Sequence, residues 1–143
     1  MKQIVLALIV DNTPGVLSRV AGLFTRRGYN IDSIAAGATQ NPRYTRITIV
    51  ATGDDIILEQ IRKQLQKLED VVKIVQLKHG TSVCRELVLV KVKADKREKQ
   101  EIIAIADIFR AKIVDVSKNS LIIELTGNVN KIEAFISLLE GFD

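Results

Sequence analysis

Residues 3–10, QIVLALIV, are apolar on both faces, a pattern that suits a central strand in a covered sheet. From 14 to 27 the period changes. Val16, Leu17, Val20, Leu23 and Phe24 recur at helical spacing and predict a helix with one buried face. Pro14 suits the first helical position, Thr13 the cap before it, and Gly28 the position just past the end. Residues 30–38 and 44–52 read as two strands, joined by the turn-forming residues 39–43. Asp54 and Asp55 then open a second helix. Ile57, Ile61, Leu65 and Leu68 share one of its faces, and Glu59 stands four residues before Lys63. With a strand at 71–77, VVKIVQL, the order is βαββαβ.

The remaining residues repeat that order with little sequence similarity. ELVLVKV at 86–92 is a strand, and the charged run 95–99 leads into a helix burying Ile102, Ile105, Ala106 and Phe109. Residues 111–116 and 120–125 form two strands, and Asn128 begins a last helix burying Ile132, Phe135, Ile136 and Leu139. No residues follow that could supply a sixth element, so the second unit is either a four-layer variant or cut short of its closing strand, and truncation is the expectation. The predicted fold class is therefore α+β, with two tandem ferredoxin-like units of split-βαβ type, each an antiparallel sheet covered on one face by two helices. The expected organisation is a first domain at 1–78, a linker at 79–84 and a second domain at 85–143. Neither unit is large enough to bury a comfortable core alone, which favours a homodimer formed through open sheet faces or edge strands.

Composition narrows the function classes. The chain has 143 residues, 47% of them hydrophobic, with mean hydropathy +0.16, as expected of a folded domain pair. No run approaches the roughly 18 apolar residues of a membrane span, and no secretory signal pattern is present. The expectation is a cytoplasmic protein with no membrane partner. The net charge of +4 is dispersed, with 11 Lys+Arg against 7 Asp+Glu in residues 1–80 and 10 against 10 thereafter. Aromatics are 4% and Trp is absent, so clustered cations and base-stacking platforms are both missing, and no nucleic-acid partner is expected. One cysteine, Cys84, and one histidine, His79, offer neither an internal disulfide nor metal-ligand spacing. No nucleophile–base pair and no phosphate-cradling glycine run can be assigned. The paired acids Asp54 and Asp55 fit a helix cap better than a metal or acid–base site.

Two turns carry the candidate chemistry. Residues 11–15, DNTPG, join the first strand to the first helix, whose N-terminus favours an anion through its unpaired N–H groups and dipole. Asn12 both donates and accepts there, and Gly15 leaves the backbone open. The far end of the same helix offers Asn30 and Ile31. Asn12, Asn30 and the amides of Gly15 and Val16 would meet the polar needs of a free amino acid, with Leu17 and Ile31 as apolar wall. The two turns stand about 20 Å apart by helical rise, so one ligand can use both only between two subunits.

The segment DNTPGVLSRVAGLFTRRGYNIDSI, followed by TRITIVATGD and LEQIRKQLQKLEDVVKI, resembles the N-terminal ACT domain of the regulatory small subunits of acetolactate synthase, also called acetohydroxyacid synthase. The likeness continues through CRELVLVKVKA and IFRAKIVDV. The resemblance implies a non-catalytic partner of the catalytic large subunit that raises its activity and confers feedback inhibition by a branched-chain amino acid, usually valine. It places effector contacts at Asn12, Gly15 and Val16 and at Asn30 and Ile31, one turn from each subunit of an ACT dimer. Thiamine diphosphate, magnesium and FAD are implied for the catalytic partner, with no cofactor and no metal on this chain. Family members usually continue into a closing strand and tail, in line with the expected truncation. The alternative reading is a stand-alone amino-acid-sensing ACT module that regulates another enzyme or a transcription factor.

Overall fold

The structure is a computed structural model describing residues 2–142. The chain divides into two compact units between Ser82 and Val83. The first runs β1 (Lys2–Asp11), α1 (Val16–Arg27), β2 (Ile31–Ala38), β3 (Tyr44–Gly53), α2 (Asp55–Gln66) and β4 (Val71–Leu77). Its strands form one antiparallel sheet in the order β2-β3-β1-β4, the split-βαβ topology. β1 is central, as its two-sided apolar run requires. Ile4, Leu6, Leu8 and Val10 point to the helices and join Ile47, Ile49 and Ala51 of β3 in the core. Val5, Ala7 and Ile9 lie on the opposite face, level with Val50, Thr48 and Arg46.

Both helices bury one stripe, with corrections to the sequence-based expectation. α1 buries Val16, Val20, Leu23 and Phe24, whereas Leu17 is 50% exposed. Four of the five apolar positions fill the width of the covered stripe, and Leu17 falls at its margin beside the turn. α2 buries Leu58, Ile61 and Leu65, while Ile57 and Leu68 are half-buried at the edge of the core. Asp54 caps α2, accepting from the Ile57 amide at 2.8 Å. Glu59 pairs with Arg62 rather than Lys63, because the guanidinium reaches the carboxylate from one turn at i+3 with two donors.

The second unit runs β5 (Glu86–Lys93), α3 (Lys96–Ile108), β6 (Lys112–Val116), β7 (Ser120–Gly127) and α4 (Val129–Leu139). Its sheet has the order β5-β7-β6, so no strand lies on the outer edge of β5 among the described residues. The charged run expected to precede α3 forms its first turns. Asp95 and Glu98 make a reciprocal capping box, with each side chain accepting from the other residue's backbone N–H. Asn128 caps α4. Ile102, Ala106, Ile132, Phe135 and Leu139 are buried with Leu121, Ile123 and Leu125 of β7. Ile105 and Phe109 are half-buried at the margin, and Ile136, expected inside, is 43% exposed one residue beyond the inward stripe.

Candidate functional site

The turn before α1 is built differently from the sequence-based expectation. Thr13 does not cap the helix and Pro14 is not its first residue; α1 starts at Val16 behind an N-cap Gly15. Gly15 has φ 85° and ψ −4°, and the Val16 amide points back to the Thr13 carbonyl at a long 3.5 Å. Pro followed by a left-handed Gly is the signature of a type II β-turn, and that turn takes precedence over a helical Pro14. Among the described residues, α2, α3 and α4 each open on an Asp or Asn whose side chain accepts an N3 amide, whereas α1 has no side-chain cap. No acidic residue stands in its first turn. The start of α1 thus keeps backbone donors and the positive end of its dipole for an acceptor from outside the helix.

Asn12 is exposed but locally engaged. Its backbone N–H donates to the Arg43 carbonyl at 2.8 Å, its Nδ2 to the Pro42 carbonyl at 3.1 Å, and its Oδ1 accepts from Thr45 Oγ1 at 3.1 Å. The side chain therefore ties the turn to the β2–β3 hairpin, leaving one N–H and one lone pair for a ligand. On the opposite flank, Asp11 N–H donates to the Asp70 carbonyl at 2.9 Å. Arg19 Nε donates to Asp70 Oδ2 at 2.6 Å, a bond that holds the guanidinium's pKa above its usual value. A Cβ on Gly15 would stand 3.0 Å from Arg19 Nη1. The turn is thus gripped by the hairpin on one side and by the segment before β4 on the other.

At the far end, Gly28 is left-handed at φ 70°, and Tyr29 N–H closes back on the Phe24 carbonyl at 3.0 Å, the six-to-one bond of a Schellman end. Asn30 is exposed and donates weakly to Asp32 at 3.3 Å, while Ile31 is half-buried against the first core. Gly15 and Leu17 are exposed at the N-terminal turn, and Val16 contributes only its amide there because its side chain is buried. Asn12, Gly15, Val16 and Leu17 therefore gather at one end of α1, and Asn30 and Ile31 at the other. The twelve residues of α1 separate the two groups, by about 18 Å of rise. The concavity lined by Lys2, Ile4, Asp55, Leu58, Glu59, Arg62 and Gln76, about 210 Å³, includes none of the six. Nor does one of about 280 Å³ in the second unit, between Asp95, Asn119 and Gly141.

No group of three or more His, Cys, Asp or Glu that could hold a metal occurs among the described residues. Among those residues no helix is long and apolar enough to cross a membrane.

Comparison with known proteins assigns both units. Residues 6–73 match the AHAS small subunit-like ACT domain, and residues 85–143 match the family described as the small subunit of acetolactate synthase. The probable acetolactate synthase small subunit of Methanothermobacter thermautotrophicus is 51% identical over 139 residues, covering 96% of this chain and 83% of that protein. The acetolactate synthase small subunit of Mycobacterium avium is 51% identical over 135 residues, 94% of this chain and 81% of that protein. The chain belongs to the acetolactate synthase small-subunit family. The crystal structure of the small subunit from Thermotoga maritima superposes with a TM-score of 0.91 at 44% identity, covering all of this chain and 91% of that one. The α+β reading with an N-terminal ACT unit and a second ferredoxin-like unit therefore holds.

Within this small-subunit chain the sequence reading missed Arg19, Pro42, Thr45 and Asp70, all of which hold the N-terminal turn. Arg19 had a local signal, since it lies four residues after Gly15 and hence one helical turn above it. Asp70 and the hairpin residues reach the turn only through sheet topology, which leaves no local trace.

Proposed function

We propose that this chain is the regulatory partner of a catalytic acetolactate synthase subunit and carries a branched-chain amino-acid effector site shared between two copies. Family membership supports the partner. The observation that carries the site is the bare N-terminus of α1, opened by the left-handed Gly15 and lacking a side-chain cap. Donors left free at a helix start suit a carboxylate. Asn30 and Ile31 supply amide and apolar surface at the other end of α1, so a second copy must bring its own turn to complete the slot. β2 begins at Ile31 and is an outer strand of the sheet, with Ile34 42% exposed, so an unpaired edge for a second copy starts beside Asn30.

On this reading valine is the effector, and thiamine diphosphate, magnesium and FAD belong to the catalytic partner. A buried valine side chain contributes about 1.5–3 kcal/mol and each hydrogen bond to a charged group a similar amount. After ordering costs the affinity is micromolar to millimolar. Such a ligand controls the partner only by favouring one assembly state over another.

Calorimetric titration with valine, leucine and isoleucine tests the site. Asn12→Ala and Asn30→Ala each abolish the valine heat. An equal mixture of the two variants restores about a quarter of the sites, because half of the dimers are mixed and each mixed dimer has one intact site. No recovery on mixing refutes a shared slot. Reconstitution with a catalytic subunit, reading acetolactate formation with and without valine, tests the target; no change in that subunit's rate and no valine inhibition on adding this chain would redirect the sensor to another enzyme.

A further inference from the structure

The segment between α2 and β4 contains one residue that contacts both ends of the effector turn. Asp70 accepts the Asp11 N–H on its backbone carbonyl at 2.9 Å and the Arg19 Nε–H on its carboxylate at 2.6 Å. Asp11 is the last residue before the turn, and Arg19 lies in the second turn of the helix that follows it. The Asp70 side chain is 22% exposed and that of Arg19 49%, so the pair is partly shielded from solvent. Its consequence for the site is geometric. The bond through Nε fixes the guanidinium plane and leaves Nη1 beside Gly15, 3.0 Å from where a side chain would begin. The Arg19 guanidinium thus stands beside Gly15, the residue behind which α1 opens.

We infer that Asp70 is a positioning residue for the effector turn, bracketing it through Asp11 and holding the Arg19 guanidinium over Gly15 where an effector carboxylate would lie. This rests on the effector site proposed above. Asp70 lies in the segment leading into β4, the outer strand paired with the edge of β1 away from β3, so a change in that segment also reaches the effector turn directly. The role is distinct from that of Asn12, which fixes the opposite flank to the hairpin.

The test is valine titration of the full chain carrying Asp70→Ala, Arg19→Gln, both together, or Asp70→Asn. Asp70→Ala weakens valine binding about ten-fold and Arg19→Gln at least as much, and the double variant is no weaker than Arg19→Gln alone, since the Asp70 carboxylate acts through the guanidinium. Asp70→Asn keeps an acceptor for Nε and stays within about three-fold of the unaltered chain. Glu59→Ala, which breaks the ion pair with Arg62 on α2, leaves valine binding unchanged. If the unaltered chain binds valine and Asp70→Ala binds it equally well, or if the two single losses multiply in the double variant, the inference is overturned while the effector site stands. If the unaltered chain binds no branched-chain amino acid, the effector site and the inference fall together.

Discussion

The first strands of the two units, β1 and β5, hold the same place in the element order and differ in their surroundings. β1 pairs with β3 on one edge and β4 on the other, and its helix-facing side chains are buried. β5 pairs only with β7; its helix-facing Val88 and Val90 are half-buried and Val92 buried, while Leu87 and Leu89 on the other face are 59% and 63% exposed. Position for position, β6, β7 and β5 repeat β2, β3 and β1, and the place of β4 has no counterpart among the described residues. The same contrast holds at the helix starts: α3 and α4 are closed by Asp95 and Asn128, while α1 is left open behind Gly15. Among the described residues the first unit covers both edges of its first strand and leaves the start of α1 uncapped, whereas the second caps both helix starts and leaves one edge of its first strand uncovered. An unsatisfied group inside an otherwise completed fold is where a ligand site is most economically placed.

Core truncation gives the largest test of that contrast. Phe24→Ala in the first unit and Phe135→Ala in the second, both fully buried, each cost about 3–5 kcal/mol. Both tyrosines, Tyr29 and Tyr44, lie in the first unit. Tyrosine fluorescence in a denaturant titration follows that unit alone, so Phe24→Ala moves the fluorescence midpoint and Phe135→Ala moves only the far-UV dichroism. Equal movement of the fluorescence by Phe135→Ala would break the picture of two separately built units.

Amide exchange sharpens the comparison of the strands. β1 amides from Val5 to Val10, paired on both edges, are protected up to the global stability of the unit, whereas alternate amides of β5 face the bare edge and exchange much faster. Uniform protection of β5 would mean that another strand covers it in solution.

The smallest effects come from left-handed residues at helix ends. Gly15 and Gly28 have φ 85° and 70°, and Arg110, at the end of α3, has φ 57°. Gly28→Ala costs about 1–2 kcal/mol from backbone strain alone, because nothing crowds the new Cβ. Gly15→Ala costs more, since its Cβ meets Arg19, and it also weakens valine binding. Arg110→Gly has the opposite sign and raises the melting temperature of the second unit, whose Schellman end, with Ala111 N–H on the Ala106 carbonyl, it leaves in place. Thermal melts of the three variants read the order.

Periodicity alone determined which residues form each element and which face most of them bury. Leu6, Leu8, Val20 and Phe24, or Ile123 and Phe135, are placed by spacing because a strand repeats every two residues and a helix every 3.6. Spacing failed at the margins, for Leu17 and Ile136, where the width of the covering sheet decides. It placed Asn12, Gly15, Asn30 and Ile31 on two turns because turn chemistry is local. The type II turn at Pro14 and Gly15 was legible in those two residues and lost to the competing reading of Pro14 as a helix start. What Asn12 touches, and that Asp70 reaches Arg19 and Asp11 across more than fifty positions of sequence, was decided by the tertiary structure. Such contacts come from the order in which strands add to a sheet, and that order is settled by burying the whole core at once rather than by any neighbouring residues.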